Sequence, residues 1–389
     1  MRASFLVVVP LLLMGAVVHA EEKGFVHPGL LHSEKDFERI RGKLAAHGEP
    51  WEAGWKKLVE NKHCSLTWTP RAVVEVWRGT DHVHHENYPV LYNDIAAAYQ
   101  CALRWRISGE RAYGDKAVEI LNAWSSTLKH VNGTSDRFLA AGIYGYEFAN
   151  AGELMRGYAG WPNGDFARFQ VMMRDVFYAE NHDFLLHHNG AKIDHYWCNW
   201  DACNMASVIA IGVLCDDRKM YEEGVEYYKH GAGNGAIEKA VNVIYPGGLG
   251  QWQESGRDQG HSTLGISLIG AVCQMAWNQG DDLFGYDHNR FLAGAEYVAK
   301  YNLGNDVPYT TYKNSDVTQT VISDKGRGDL RPCWELVYNH YVVMGHLSAP
   351  YVTEFAAKVR PEGGGGDYGP NSGGYDQLGL GTLMYTVEK

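Results

Sequence analysis

A pair of helices that recurs three times constrains the fold of this chain more than any other feature of its sequence. In each copy, a helix rich in small apolar residues ends in a short acidic turn, and a second, amphipathic helix begins near a tyrosine. The first helices contain IAAAYQCALRWRISG, ACNMASVIAIGVLC and TLGISLIGAVCQMAWNQG, and the tyrosines are Tyr113, Tyr221 and Tyr286. Such pairs bury their apolar faces only by stacking on one another. The sequence therefore predicts an all-α fold, an α/α toroid (an incomplete barrel) of about six or seven helical hairpins.

The two ends of the chain differ from this helical body. The first twenty residues, MRASFLVVVPLLLMGAVVHA, combine an arginine, an apolar run and a small residue before EEKG, which is typical of a secretory signal peptide. We expect residues 1–20 to be removed and residues 21–389 to form one α/α-barrel domain, secreted or, in a bacterium, periplasmic. No later run is long and apolar enough to predict a membrane span. The end, RPEGGGGDYGPNSGGYDQLGLGTL, is too rich in glycine for a long helix and predicts an irregular C-terminal tail.

Composition narrows the classes of partner and cofactor. The formal net charge of −11 argues against a broadly basic nucleic-acid-binding protein. The chain has seven cysteines, an odd number, and their spacing does not match that of a zinc site. Most of them are expected to be buried and to pack as small apolar residues. The run DHVHH, with His82, His84 and His85, lacks the helical carboxylate partner of an H-E-x-x-H zinc motif. We therefore expect no metal and no other cofactor.

Polar residues that suit an anionic sugar gather between Asp194 and His261. This stretch contains Asn199, Arg257 and His261 among several tryptophans, with an apolar helix predicted from near Asp201 and another from Ser262. Amide, guanidinium and imidazole groups at helix starts can bind a carboxylate, and aromatic rings can stack on a sugar. The abundant tryptophan and tyrosine side chains are equally consistent with a large helical core.

Several segments resemble the alginate-lyase superfamily of polysaccharide lyases. They are CNWDACNMASVIAIG, ESGRDQGHS, DHNRFLAGAEYVAKYNLGNDVPY and RPEGGGGDYG, and the likeness extends from about Leu30 to Thr382. The sequence is most similar to polysaccharide-lyase family 38, whose members cleave polymannuronate or β-1,4-glucuronan. The resemblance implies an α/α barrel and metal-free β-elimination, with an Asn that neutralises the uronate carboxylate and a His and a Tyr that move protons. Where the superfamily often has Asn-Asn-His, this chain has Cys198-Asn199-Trp200.

The chemistry of elimination assigns roles to individual residues. Removal of the C5 proton of a uronate requires donors that stabilise the charge developing on the neighbouring carboxylate. Asn199 is the predicted donor, Arg257 a second neutralising group, and His261 the general base, because imidazole titrates near neutral pH. Tyr312 is the favoured acid for the leaving O4, with Tyr309 in reserve.

The sequence is also consistent with structural roles for these residues. Asn199 could cap a helix, His261 could be a core or capping residue, and Arg257 could form a structural ion pair. The side chains predicted to bind neighbouring sugars are Trp200, Asn204, Trp252, Tyr309, Arg290 and Arg331, although the position of Asn204 inside the predicted helix favours a structural role.

Two other functions are consistent with the sequence. An α/α-toroid glycoside hydrolase would need paired carboxylates about 6–9 Å apart in the inverting case, with Glu254, Asp258 or Glu335 as candidates. A non-catalytic protein that binds acidic glycans is the third. The preferred uronate, endo or exo action and the oligomeric state are not determined by the sequence.

Overall fold

The computed structural model describes residues 24–368 and 375–388. The predicted signal peptide, residues 1–20, lies outside the described residues. None of the helices in the described part of the chain has the length and apolar character needed to cross a lipid bilayer.

Helices make up most of the described chain. They are α1 (Glu34–Ala45), α2 (Trp51–Val59), α3 (Tyr88–Ser108), α4 (Arg111–Thr127), α5 (Asp136–Met155), α6 (Asn163–Met172), α7 (Ala179–His187), α8 (Cys198–Leu214), α9 (Arg218–His230), α10 (Ile237–Ala240), α11 (Gln259–Gln279), α12 (Tyr286–Asn302), α13 (Trp334–Tyr338), α14 (Pro350–Val359) and α15 (Gly381–Met384). Two π-helical segments, Met173–Tyr178 and Asn339–Met344, join α6 to α7 and extend α13, and short 3-10 turns cover His188–Gly190 and Gly365–Tyr368.

The first helices of the repeated pairs form the inner wall. Helix α3 packs on α5, α5 on α8, and α8 on α11. All of α8 from Cys198 to Leu214 is buried, whereas its partner α9 buries only one face. A ring of helices explains this difference, because an inner helix is covered on every side and an outer helix on one.

Glycine allows the inner helices to approach closely. A Cβ atom added to Gly142 of α5 would lie 2.4 Å from the Cys203 sulfur of α8, and one added to Gly145 would lie 2.1 Å from the Ser207 hydroxyl. Both distances are too short for any side chain. Glycine is therefore required at both positions where α5 meets α8.

The two ends of the chain complete the circuit of helices. Helix α13 packs on α11 and on α15, α15 packs on α1 and α2, and α1 packs on α3. Ser33 and Asp36 form a capping box at the start of α1, since the backbone N–H of Ser33 donates to the Asp36 carboxylate at 2.8 Å. The glycine-rich tail is irregular apart from the 3-10 turn and α15, and residues 369–374 within it are not among the described residues.

Short strands are the part of the fold that the periodicity did not predict. They are β1 (Glu75–Arg78), β2 (His130–Gly133), β3 (Val241–Ile244), β4 (Gly250–Trp252), β5 (Tyr312–Lys313) and β6 (Thr318–Gln319). In the described chain they form three two-stranded ladders, of which β1–β2 is parallel and β3–β4 and β5–β6 are antiparallel. The turn after β4 leads into α11, and β5 carries Tyr312, so two of these ladders position residues of the predicted site.

Candidate active site

The start of α8 is held by side chains that lie 55 residues later in the chain. The backbone N–H of Cys198 donates to Gln253 Oε1 at 3.0 Å, and that of Asn199 donates to Glu254 Oε2 at 3.1 Å. These two N–H groups belong to the first turn of α8, where no helical acceptor exists. The helix begins at Cys198, three residues before the predicted start near Asp201, because Gln253 and Glu254 satisfy these donors from outside.

Asn199 is fixed by its backbone, and its side chain is buried without a hydrogen-bond partner within the described chain. The residue is 2% exposed, and its side-chain amide makes no hydrogen bond within the described chain, with Oδ1 buried and without a partner. The residue at the helix cap is Trp197, so the alternative interpretation of Asn199 as a capping residue is wrong. A buried amide without an internal partner is a candidate for a hydrogen bond to a ligand.

Glu254 connects Asn199 to Arg257. Its carboxylate is fully buried and accepts a hydrogen bond from Arg257 Nη1 at 2.9 Å as well as the one from Asn199. Burial raises the pKa of Glu254, while the positive charge of Arg257 acts against that rise. Arg257 makes no other hydrogen bond within the described chain, and its guanidinium lies 5.2 Å from the ring centre of Trp197. The predicted ion pair therefore exists, and it orients Arg257 while leaving donors free.

His261 is oriented by the aspartate that caps its own helix. Asp258 is the N-cap of α11 and accepts the backbone N–H of His261 at 2.8 Å, and its Oδ2 lies 2.7 Å from His261 Nδ1. Burial alone would raise the pKa of Asp258, but the hydrogen bonds from His261 and the charge of Arg257 lower it to about 2. An ionised carboxylate at Nδ1 favours the tautomer with a proton on Nδ1, which leaves Nε2 as an acceptor. The His261 side chain is 36% exposed, so that nitrogen can meet a ligand.

The two candidate tyrosines differ in how their hydroxyl groups are used. Tyr309 donates its proton to the carbonyl oxygen of Gln319 at 3.2 Å. Tyr312 instead accepts a hydrogen bond from Gln253 Nε2 at 2.6 Å, which leaves its own proton without an acceptor in the described chain. Burial raises the pKa of Tyr312, although the bond from Gln253 opposes the rise, so the phenol is protonated at neutral pH. Of the two, Tyr312 is the one that can donate a proton to a ligand.

The hairpin that carries Tyr312 is tied to the segment before α8. Ser315 donates its backbone N–H to Asp194 Oδ2 at 2.9 Å, and Asn314 Nδ2 donates to the Asp194 carbonyl oxygen at 3.0 Å. The ring of Tyr312 lies 6.2 Å from that of Trp197. These contacts, together with Gln253, bring the phenol next to the first turn of α8.

Three of the predicted sugar-binding residues are packing residues instead. Trp252 is fully buried, and Trp200 is 8% exposed and packs with Phe184 at a ring separation of 5.9 Å. Asn204 is fully buried and donates to the Trp200 carbonyl oxygen at 2.9 Å. A ring enclosed on both faces cannot stack on a sugar, and a buried amide with satisfied bonds has none to offer. These assignments are corrected to structural roles.

Arg290 and Arg331 also make internal contacts. Arg290 donates to the Val241 carbonyl oxygen at 2.9 Å and pairs with Asp287 at 2.6 Å, which joins α12 to β3. Arg331 is 4% exposed, donates to the Gly260 carbonyl oxygen at 3.3 Å and pairs with Asp376 at 3.3 Å. It therefore links the C-terminal tail to the start of α11, and neither arginine is left free to bind a neighbouring sugar in this structure.

Two residues of the site were given no role by the sequence analysis. Trp197 is partly exposed beside Arg257 and Tyr312, so it is the tryptophan placed to contact a ligand here. Gln253 bonds to both Cys198 and Tyr312. The only signal for Trp197 was its position just before a helix, where a side chain leaves the buried helical face.

The cysteine and histidine runs do not form a metal centre in the described residues. All seven cysteines are free. His84 bonds to Asp81 and stacks on Trp77 with ring centres 3.6 Å apart. Within residues 24–368 and 375–388, no group of three or more His, Cys, Asp or Glu side chains is arranged to hold a metal ion.

Comparison with known proteins identifies the family. The model of the alginate lyase family matches residues 79–307, which is more than half of the 389-residue chain and includes Asn199, Arg257 and His261. The chain belongs to the alginate lyase family. This alginate lyase family member is accordingly a polysaccharide lyase, as the sequence analysis predicted. A comparison with curated protein sequences finds no match.

Solved structures of alginate lyases have the same fold as this family member. The structure is similar to that of an alginate lyase from Bacteroides ovatus, with a TM-score of 0.62 and 13% identity over 93% of this chain and 100% of that chain. It is also similar to alginate lyase A1-III from Sphingomonas species A1, with a TM-score of 0.60 and 13% identity over 94% of this chain and 98% of that chain. A substituted form of alginate lyase A1-III complexed with tetrasaccharide gives a TM-score of 0.64 at 12% identity, over 95% and 98% of the two chains. The predicted α/α toroid is thereby confirmed.

Proposed function

We propose that this protein is a secreted lyase that cleaves a β-1,4-linked uronic-acid polymer, alginate (polymannuronate) or glucuronan, by metal-independent β-elimination. The product would carry a 4,5-unsaturated uronate at its new non-reducing end. The observation that carries the proposal is the imidazole of His261, which is held at Nδ1 by Asp258 and is partly exposed, together with the side-chain amide of Asn199, which has no partner within the described chain.

The catalytic step assigns one task to each group. His261 Nε2 accepts the C5 proton, and the electron pair of the C5–H bond forms the C4=C5 double bond as the C4–O4 bond breaks. Tyr312 gives its proton to the departing O4. The amide of Asn199 and the guanidinium of Arg257 donate hydrogen bonds to the C5 carboxylate, where charge develops, and donors of this kind stabilise a transition state by about 3–4 kcal/mol each.

The substrate class follows from the charge of the uncommitted groups. Arg257 has donors not used within the described chain, and Asn199, whose backbone N–H donates to the same Glu254 carboxylate as Arg257, has a side-chain amide without a partner there. The carboxylates nearest to them, Glu254 and Asp258, are already engaged. The partner that suits this set is an acidic polysaccharide, with Trp197 as a surface for a sugar ring. The N-terminal pattern of the sequence is the support for secretion.

Paired phenylalanine substitutions test the proposal. Tyr312→Phe removes the proton predicted to reach O4, and kcat on polymannuronate or glucuronan should fall about 10²–10⁴-fold, the usual range for a general acid. Tyr309→Phe is the matched control, since that phenol donates only to a backbone carbonyl, and its kcat should stay within about threefold of the unaltered protein. The measurement is the ultraviolet absorbance of the unsaturated uronate. Equal losses in the two variants would refute the assignment of Tyr312.

The same assay separates the two other functions. A glycoside hydrolase would release reducing ends without unsaturated uronate, and a binding protein would release neither. The hydrolase has little support in the geometry, because Glu254 is buried against Arg257, Asp258 is bonded to His261, and Glu335 accepts hydrogen bonds from Arg360 and Asn339. None of the three is left free to face a glycosidic bond.

A further inference from the structure

A second cavity lies at the opposite end of α11 from His261. It has a volume of about 510 Å³ and is formed by the N-terminal segment around α1, the last turns of α11, the π-helical extension of α13 and the residues after α15. Trp277 lines it, 16 residues after His261 on the same helix, which is about 24 Å at the helical rise of about 1.5 Å per residue. The cavity is therefore separate from the candidate active site.

Trp277 is an unusual tryptophan in this protein. All twelve tryptophans lie in the described residues, and Trp277 alone among them is in the exposed class, at 42%. Its ring is buttressed rather than mobile, because His340 meets it edge-on at 4.8 Å and itself stacks on Phe284 at 3.6 Å. A supported indole face open to solvent is the kind of surface on which a sugar ring stacks.

The polar groups around Trp277 favour an acidic ligand. Lys35 is exposed and has no ion-pair partner among the described residues. The two carboxylates of the lining are already paired, Glu34 with Arg41 at 2.8 Å and Asp36 with Arg39 at 2.7 Å. The charged side chain of the lining that remains without an ion-pair partner is therefore the positive Lys35.

We propose that the Trp277 cavity is a second, non-catalytic binding site for an acidic polysaccharide, with the indole stacking on a sugar ring and Lys35 pairing with a uronate carboxylate. Its volume lies within the range of about 300–1,000 Å³ that is usual for small-molecule sites. The identity of the ligand rests on the proposed function. A long polymer held at both sites gains affinity from its high local concentration, whereas a short oligosaccharide gains none.

A binding experiment tests the cavity apart from catalysis. An oligomannuronate is titrated calorimetrically into full-length His261→Ala protein, which cannot consume it, and into the same protein carrying Trp277→Ala. We expect a binding event that Trp277→Ala weakens at least about tenfold, the loss expected when a stacked ring and its buried area are removed. Lys35→Gln should weaken the same event, and a neutral manno-oligosaccharide should not produce it. Leu186→Ala, which removes a 59%-exposed apolar side chain on α7 outside the cavity, should leave it unchanged.

The outcomes distinguish this site from the proposed function. Binding that neither Trp277→Ala nor Lys35→Gln alters would overturn the cavity as a glycan site, even if the unaltered protein cleaves uronans normally. Equal binding of the neutral oligosaccharide would overturn the acidic class of ligand. If the protein cleaves no uronan and the Trp277-dependent event persists, the proposed catalytic function fails and the second site stands. With lyase activity present, Trp277→Ala should raise KM for long polymannuronate several-fold and leave kcat on short oligomers unchanged.

Discussion

Replacing Asp258 by asparagine removes the charge that holds His261 while keeping the cap on α11. Asparagine caps helices about as well as aspartate, so Asp258→Asn retains the bond to the backbone N–H of His261. The aspartate pKa is lowered from its ordinary 3.8 to about 2, because hydrogen bonds from His261 and the charge of Arg257 outweigh the effect of burial. A shift of this size corresponds to about 2–3 kcal/mol in favour of the folded state. The free energy of unfolding of Asp258→Asn should be lower by up to that amount near pH 7.

The pH dependence of this difference has a definite sign. A carboxyl whose pKa is lower in the folded protein contributes its full stability above its unfolded pKa of 3.8 and loses that contribution as the pH falls through about 2. The gap between the unaltered protein and Asp258→Asn should therefore be constant from about pH 7 to pH 5 and shrink to about half by pH 3. Urea unfolding followed by circular dichroism at these pH values measures it.

Activity should change more than stability. An asparagine amide can present N–H instead of oxygen to Nδ1, which would move the imidazole proton to Nε2 and block its role as a base. We expect kcat to fall about 10²–10⁴-fold, the usual contribution of a general base. Asp217→Asn is the matched control, since Asp217 caps α9 through Lys219 and Met220 and has no histidine partner. It should leave kcat unchanged.

Two results would refute this account. A stability gap that is the same at pH 3 and pH 7 would mean that the Asp258 carboxylate is not held by His261 and Arg257. Full activity in Asp258→Asn would mean that the aspartate does not orient the base, and His261 would then lose its assigned role.

Three further predictions follow from packing, burial and exposure. Gly265→Ala should lower the free energy of unfolding by about 1–3 kcal/mol in urea denaturation, because the new Cβ would lie 2.5 Å from the buried ring of Trp252. Glu362 is fully buried, and burial and a neighbouring carboxylate raise its pKa from 4.5 to about 8. The free energy of unfolding should therefore fall as the pH rises between these two values. Glu362→Gln cannot ionise, so it should remove this pH dependence from the unfolding free energy measured between pH 5 and pH 8. Trp197→Ala should raise KM for a uronan about 3–10-fold with little change in melting temperature, because a partly exposed ring beside Arg257 contributes to binding more than to the core.

The chemistry of the site was visible in the sequence only as a set of candidates. His261, Asn199 and Arg257 could be named because residue type limits what a side chain can do. Position in the chain did not reveal which tyrosine keeps its proton free, since Tyr309 and Tyr312 lie in the same loop and differ only in their partners, Gln319 and Gln253. It also gave no way to separate the partly exposed Trp197 from the buried tryptophans nearby.

The order of helical pairs, the small residues of the inner helices and the irregular tail were determined by the sequence alone, because helical periodicity and glycine content are local properties of the chain. The early start of α8 and the partial exposure of Trp197 were decided only by the tertiary structure. Gln253 and Glu254 reach the first turn of α8 across 55 residues. They directly follow β4, which has three residues, and Tyr312 lies on β5, which has two, and both strands are too short for a periodic signal. Contacts between segments so far apart in sequence depend on how the ring of helices closes, and a local sequence pattern does not contain that information.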